Sequence, residues 1–470
     1  MRTPRQALPM VMTLATMSEI SSTIAAVSTP PGKGGVAVIR LSGPEAFAIA
    51  ARVFRPRGKV APQNAPRRAI YGDFLSEGVA VDDGLATAFP APASYTGEDT
   101  VELSCHGGML ITRTILGALF AAGATPAAAG EFTRRAYLSG RLGLSEAEAI
   151  ATLLEAKSEA QIRLSANRDL FAERIFSLYK EMLSLVSAKE AVIDFPEEDL
   201  SEIGDKEFLS RLDAMTEALF RLLATWRTGQ AISEGIRTVI VGRPNVGKSS
   251  LYNLLACEEA AIVSDTAGTT RDVLERTVPL GRVLLRLCDT AGLRISQDEI
   301  ERIGVERARR AMQSADLILA VFDASAPLTD EDRALLSELS GIGTTKIAIL
   351  NKSDLPTVAA LPEGNFAATL SLSAKHGTAD GLCKLIDRLF TDGDVVIGED
   401  AIVSSARQYA ALKRAHDCLI QARDAQRAGL PADMVLFDLC EGLSALGEVD
   451  GRTVNEEIVA EIFSHFCVGK

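Results

Sequence analysis

No run of eighteen apolar residues occurs in the 470-residue chain, so no membrane-crossing helix is expected. No two cysteines stand in a C-x-x-C arrangement, and the seven present are scattered and odd in number. That excludes a disulfide framework and fits reduced thiols in a cytoplasmic protein. The four histidines are equally dispersed, and their spacing reveals no metal cluster. Positive charge is in short supply, with 49 Lys+Arg against 62 Asp+Glu and a net charge of −13. Tight, sequence-blind nucleic-acid binding runs on phosphate neutralisation, so the balance argues against it. With 47% apolar residues the chain is too hydrophobic to be disordered over most of its length. Residues 1–20 carry Arg2 and Arg5 but are broken by Pro4 and Pro9, so no signal peptide is expected. Met12 and Met17 offer alternative starts, and the stretch reads as an upstream extension.

What is present falls into four textures. Residues 22–140 mix Gly, Pro and short apolar runs such as 36–41 and 101–103, as in a β/α domain. Residues 144–195 contain neither Gly nor Pro. Ser145 and Glu148 fit a capping box at the start of that stretch, and Ile150, Leu153 and Leu154 recur at helical spacing. Residues 236–396 alternate apolar strands (238–242, 283–289, 317–323, 346–351, 369–373) with helical patterns, which predicts a parallel, doubly wound sheet. Helical periodicity then returns to the end. The fold class is therefore multidomain α/β. Residues 141–235 and 397–470 are expected to form one split helical domain, with 236–396 inserted into it.

Residues 242–249 read Gly-Arg-Pro-Asn-Val-Gly-Lys-Ser, a phosphate-binding loop between a strand and a helix at 250–256. Backbone N–H groups of Asn245, Val246, Gly247 and Ser250, with the helix N-terminus, are expected to cradle phosphates. Lys248 should reach the β- and γ-phosphates, and Ser249 should ligate Mg²⁺. Four further elements follow in order. Residues 264–270 (Ser264, Asp265, Thr266, Ala267, Gly268, Thr269, Thr270) form a Gly-bearing loop in which Thr270 completes the Mg²⁺ shell. Asp289, Thr290, Ala291 and Gly292 end a strand, with Asp289 holding Mg²⁺ through water and Gly292 sensing the γ-phosphate. Asn351, Lys352, Ser353 and Asp354 end another, and the Asp354 carboxylate suits the paired N–H donors of guanine. Ser373, Ala374 and Lys375 close the base pocket. Together they specify GTP rather than ATP.

The catalytic glutamine of Ras-like GTPases is missing: Leu293 stands there and cannot orient water. No arginine finger is evident either. The acidic run 298–301, which includes Glu301, offers a carboxylate for water, and equally suits a plain helix start. Asn245 offers an amide to a monovalent cation beside the phosphates, and equally suits a turn.

With those motifs, residues 29–36, 95–99, 105–108, 130–133, 193–198 and the terminal Phe-Cys-Val-Gly-Lys closely resemble the bacterial MnmE (TrmE) family of tRNA modification GTPases, from about Thr23 to Lys470. The resemblance implies an N-terminal tetrahydrofolate-binding and dimerisation domain, a split helical domain and an inserted Ras-like G domain. It also implies a homodimer acting with the FAD-dependent partner MnmG. Together they would add a carboxymethylaminomethyl or aminomethyl group at C5 of the tRNA wobble uridine, the carbon coming from a 5,10-methylene- or 5-formyl-tetrahydrofolate. Asn245, Ser264, Thr266 and Thr269 would coordinate K⁺, Glu301 would position water, and G domains would pair in a K⁺-dependent way. Folate binding maps onto Arg40, Glu102, Arg141 and Lys470, where Arg141 replaces the family's usual Lys. Gly143 and Gln408 are further departures, from an acidic residue and a His. Cys467 has a counterpart close to the folate site, which makes it a candidate chemical group as well as a candidate packing thiol.

No acidic residue lies between Glu45 and Asp73, while Arg52, Arg55, Arg57, Lys59, Arg67 and Arg68 do. That face suits tRNA phosphates or plain solvation. The competing reading is a GTP-switched RNA or ribosome assembly factor, which would need neither the folate residues nor the C-terminal tail.

Overall fold

The computed structural model describes residues 22–194, 204–257, 275–288, 310–362, 366–391, 395–454, 456–464 and 466–469. The chain divides into two compact units, and the expected helical domain is shared between them. The first unit joins the N-terminal residues through Ala151 to Ile175–Leu183 and Leu443–Lys470; the second holds Thr152–Arg174 and Ser184–Gly442.

The first unit is built on a seven-stranded sheet of order β3-β4-β5-β6-β2-β1-β7. The strands are β1 (Ile24–Val27), β2 (Val36–Ser42), β3 (Phe54–Pro56), β4 (Ile70–Ser76), β5 (Val79–Phe89), β6 (Thr100–His106) and β7 (Thr125–Pro126). All neighbours run antiparallel except β1 and β7. Side chains alternate between faces along a strand, and the sequence uses both. Ala37, Ile39 and Leu41 of β2 join Val101, Leu103 and Cys105 of β6 in a core under the helices Ala46–Val53 and Met109–Ala121. Arg40 and Glu102 alternate with those residues and stand directly opposite each other in the register. Burial pushes the Cys105 thiol up to about 11, which makes it inert packing. On the face opposite that core, Ile24 and Ala26 pack with Ala127 and Phe132.

The C-terminal helix Glu456–Ser464 contributes Val459 and Phe463, which with Phe466 pack on Tyr137, Leu144 and Ala147. The helix Leu144–Leu154 begins two residues earlier than its Ser-x-x-Glu pattern predicts. Glu146, not Glu148, accepts the N–H of Gly143 at 2.6 Å, while Ser145 donates to the Val449 carbonyl at 2.7 Å. Burial of Ser145 against the C-terminal segment overrides its capping preference.

The second unit contains a six-stranded sheet of order β13-β12-β11-β8-β10-β9, formed by β8 (Ile236–Val241), β9 (Glu275–Leu280), β10 (Val283–Cys288), β11 (Leu317–Asp323), β12 (Thr345–Asn351) and β13 (Ala368–Ser371). Its two faces are covered by separate apolar clusters, as a doubly wound fold requires. The sheet is not wholly parallel, because β9 is an antiparallel edge strand hairpinned to β10. Helices from before and after this sheet pack together: Asp205–Ala224 lies along Ala406–Arg427, with Arg427 on Asp213 at 2.9 Å. Gln408 has a local reason to be there, since its Oε1 accepts the Ser404 N–H at 3.2 Å and its own N–H meets the Ser405 hydroxyl at 3.2 Å. No helix among the described residues is long and apolar enough to cross a membrane.

Candidate functional site

The strand β8 is buried from Thr238 to Val241 and delivers the chain into the loop 242–247, after which the helix Lys248–Cys257 begins. Two backbone features shape the loop. Asn245 adopts φ 65°, and among the described residues its side-chain amide has no partner. Gly247 adopts φ 100°, and a Cβ there would collide with the side-chain amide of Asn351. Val246 is fully buried, whereas Ser249 and Ser250 are exposed at the helix start, open to a ligand. Lys248 folds back over the loop, donating to the carbonyls of Gly242 at 2.8 Å and Arg243 at 2.9 Å. Burial lowers its pKa, which is the direction expected of an ammonium awaiting an anion.

The base-recognition motifs converge on the same loop. Asn351, only 3% exposed, donates to the Val246 carbonyl at 2.8 Å and accepts the Ala374 N–H at 2.8 Å. One side chain thus joins the phosphate loop to the segment holding Ser373, Ala374 and Lys375. Ser353 donates its N–H to the Leu372 carbonyl at 3.2 Å. A hydrogen bond from Ser373 holds the exposed Asp354 carboxyl below its usual range, with Lys375 and His376 adding to the effect. Asp354 is therefore a carboxylate, the form that accepts two N–H donors from guanine. Lys352, at φ 65°, reaches Asp323 at 2.5 Å.

Asn245–Ser250, Asn351–Asp354 and Ser373–Lys375 are thus drawn together at one end of the sheet, at the ends of β8, β12 and β13. Ser264, Asp265, Thr266, Ala267, Gly268, Thr269, Thr270, Asp289, Thr290, Ala291, Gly292 and Glu301 lie outside the described residues. Sequence reasoning missed Arg243, Asp323 and Asp332, which form ion pairs beside the loop. The motif treats Arg243 as a spacer, and nothing local links it to Asp332.

In the first unit, Arg40 donates to Glu102 at 2.9 and 3.1 Å. Its guanidinium lies 4.9 Å from the Tyr95 ring centre and 5.6 Å from that of Phe132. Its Nη1 is buried with no hydrogen-bond partner among the described residues, and such an atom calls for an acceptor. Arg141 is exposed, its stem beside Gly97, and Lys470 lies outside the described residues. The tail before Lys470 is pinned. Val468 bridges to Ala129, the Cys467 carbonyl accepts from Gly130 at 3.4 Å, and the Gly469 carbonyl accepts from the Ser28 hydroxyl at 3.0 Å. Gly469 sits against Val27, next to the Ala26 that pairs with Arg40. The Cys467 thiol is exposed.

Part of the basic stretch is already engaged. Arg57 pairs with Asp73 at 2.7 Å and lies 3.6 Å from Asp83, Arg55 lies 3.7 Å from Asp73, and Arg52 holds the Ala122 carbonyl at 2.8 Å. Lys59, Arg67 and Arg68 are exposed. The fold also gathers a group that residue spacing hid: Asp82, Asp83 and His106, whose ligand-type atoms lie within 4.8 Å of one another. Both Asp82 oxygens take N–H groups of His106, at 2.7 and 2.9 Å. Asp83 meets Arg57 and the Tyr71 hydroxyl. The group is an ion-pair network among β4, β5 and β6.

Residues 23–141 match the family model described as GTP-binding protein TrmE N-terminus, and residues 144–467 match the one described as MnmE helical domain. The chain is 42% identical over 468 residues to the tRNA modification GTPase MnmE of Heliobacterium modesticaldum, covering 96% of this chain and 100% of that protein. It is 40% identical over 465 residues to the tRNA modification GTPase MnmE of Moorella thermoacetica, again covering 96% and 100%.

Proposed function

The chain belongs to the MnmE (TrmE) family of tRNA modification GTPases, and from that premise we propose that it uses GTP turnover to drive one-carbon modification of the tRNA wobble uridine with MnmG. The product is a carboxymethylaminomethyl or aminomethyl group at C5. The observation that carries the reading is the Arg40 site, where a buried, half-satisfied guanidinium and a 31%-exposed Glu102 carboxylate stand beside two aromatic rings.

That combination fits a tetrahydrofolate. The Glu102 carboxylate suits adjacent pterin N–H donors, and Arg40, Arg141 and Lys470 suit the anionic glutamate end. Bound folate supplies the one-carbon unit. The docked tail brings Gly469 against Val27, next to the Ala26 that pairs with Arg40, and Cys467, two residues before it, is the proposed chemical group for the transfer. Cys467→Ser should spare GTP turnover and lower tRNA modification; unchanged modification would return the thiol to packing.

At the nucleotide site Lys248 exchanges its loop carbonyls for phosphate oxygens, and Asp354 accepts the guanine N–H groups. Ser249 and Thr270 would hold Mg²⁺. The free amide of Asn245 fits K⁺, with Ser264, Thr266 and Thr269 completing its shell. Bound K⁺ supplies the positive charge that other GTPases take from an arginine. Glu301 would position water, and turnover would follow pairing of two G domains. A homodimer is consistent with β4 and β5 exposing Tyr71, Val79, Val81 and Leu85. The exposed Lys59, Arg67 and Arg68 are candidate tRNA contacts, and the site of action is the cytoplasm.

Reconstitution with MnmG, tRNA, GTP and a folate labelled in its one-carbon unit, followed by nucleoside analysis, tests the whole reading. Label at the wobble uridine is expected, with GTP turnover faster in KCl than in NaCl at equal ionic strength. Unlabelled tRNA, or 5-formyl-tetrahydrofolate binding unchanged by Arg40→Ala, would overturn the folate assignment.

A further inference from the structure

Arg243 occupies a spacer position of the phosphate loop, yet its side chain is built into an ionic chain whose two acids are largely buried. Its Nε donates to Asp332 at 3.2 Å, and its Nη2 lies 3.9 Å from the same Asp323 oxygen that Lys352 holds at 2.5 Å. Asp332 is 3% exposed and Asp323 10%, so water screens these pairs poorly. Both acids are fixed by other bonds. Asp332 accepts from the backbone and hydroxyl of Thr329 at 3.0 and 2.9 Å, closing the capping box of the helix Asp330–Ser340. Asp323, at the end of β11, accepts from Ser325 at 2.6 and 3.0 Å. Burial raises the Asp323 carboxyl, and the Lys352 and Ser325 hydrogen bonds more than cancel it, leaving it below the ordinary value.

We infer that Arg243 is a positioning residue that couples the guanine-recognition loop to the phosphate loop through the chain Lys352–Asp323–Arg243–Asp332. Two features give the coupling a route. Lys352 sits two residues before the guanine-binding Asp354, in a left-handed conformation that aims it at Asp323. At the other end, the backbone carbonyl of Arg243 is one of the two that hold Lys248. A shift of Lys352 thus reaches the resting place of the phosphate-binding lysine through two ion pairs. This link is separate from the Asn351 bridge, which uses different atoms of the loop. The inference rests on GTP binding alone and stands whether or not the folate and potassium proposals hold.

Full-length protein carrying Arg243→Ala, Arg243→Lys, Lys352→Ala and the double Arg243→Ala/Lys352→Ala would be titrated with fluorescent GDP and with IDP, which lacks the amino group that Asp354 recognises. Arg243→Ala is expected to weaken GDP by roughly ten- to a hundred-fold, since it takes the guanidinium away from the buried Asp332 and leaves Asp323 with Lys352 as its one cation among the described residues. The double variant should be weaker than either single one by much less than the product of their effects. Arg243→Ala should also narrow the preference for GDP over IDP. Arg243→Lys should recover part of the affinity and of the preference, because an ammonium can reach one carboxylate but not span both. A residue that merely holds the fold would multiply with Lys352→Ala and weaken GDP and IDP alike, and either result overturns the inference. Circular dichroism and thermal unfolding identify a variant that does not fold. In that case Arg243→Lys, which keeps the charge, and its combination with Lys352→Ala are read by the same two criteria.

Discussion

Replacing Gly469 with alanine should detach the C-terminal tail and separate the two activities of the chain. Gly469 adopts φ 98°, and a Cβ there would run into the carbonyl oxygen of Val27. No rotation of a methyl group relieves a collision with backbone, so the strand or the tail must move. The left-handed conformation alone costs a non-glycine residue about 1–3 kcal/mol. Against it stand few contacts: the Ser28 hydroxyl on the Gly469 carbonyl, the Ala129–Val468 bridge and the Gly130 N–H on Cys467. At about 0.5–1.5 kcal/mol each, their sum is about 2–4 kcal/mol. Strain plus collision therefore matches or exceeds what holds the tail down.

Upstream, the Phe463 and Phe466 rings lie 5.5 Å apart in a buried cluster with Tyr137 and Leu144. Detachment should stop there and leave global stability nearly unchanged. In Gly469→Ala, hydrogen exchange at Gly130 and over residues 467–469 should accelerate by roughly 30- to 1000-fold, the equivalent of those energies. Binding of 5-formyl-tetrahydrofolate should weaken in parallel, and GTP turnover should persist. Exchange and folate affinity both equal to those of the parent chain would show that the backbone absorbs the methyl group, and the docking argument would fail.

Asn351→Ala removes one side chain from two buried backbone groups, and should destabilise the chain by roughly 2–4 kcal/mol in urea titrations while abolishing GDP binding; retained binding would mean another group bridges the loops. The His106 pKa is raised above its ordinary 6.5, first by the hydrogen bond to Asp82 and then by its charge. The stability from that pair is therefore fully present below about pH 6.5 and lost as pH rises through the higher folded value. The difference in melting temperature between the parent chain and His106→Gln should accordingly shrink from pH 6 to pH 8, and a constant difference would refute the pairing. Glu301→Ala should keep GTP affinity and slow hydrolysis by roughly 10²–10³ if the carboxylate positions water; loss of GTP binding would assign Glu301 a structural role.

The placement of the phosphate loop and of the segments 351–354 and 373–375 was legible because each motif demands particular residue types at a strand end. Asn351 is a good instance: only a side chain with both a donor and an acceptor can join Val246 to Ala374. The edge strand β9 was not legible. Pro279 interrupts the run Glu275–Leu280, and proline argues against a strand unless that strand is an edge. Among the described residues it is one, paired only with β10, so the missing N–H costs no ladder bond on the open side. Ser145 misled in the opposite direction. Its residue type favours a helix cap, but the Val449 carbonyl, 304 positions away, claims its hydroxyl.

Contacts of that range separate what local pattern reveals from what only the fold reveals. Arg40 and Glu102 carry opposite charges in two strands 62 positions apart, and neither strand alone says that they are cross-strand neighbours. Once paired, they share a sheet face with only part of the guanidinium satisfied, and the orphaned Nη1 is what sets this pair apart from an ordinary cross-strand ion pair. The same reasoning applies to Arg243, which reads as a spacer until β11 and the helix after it bring two carboxylates within reach. In both places an arginine is held by acids of its own chain, beside the proposed folate site in one case and the phosphate loop in the other. Its five-donor fork allows this, since one edge can anchor the side chain while another faces the ligand or the loop. A lysine has no second edge. Arg40→Lys should therefore keep the Glu102 pair and still lose folate affinity, and that outcome would distinguish a binding arginine from a sheet-stabilising one.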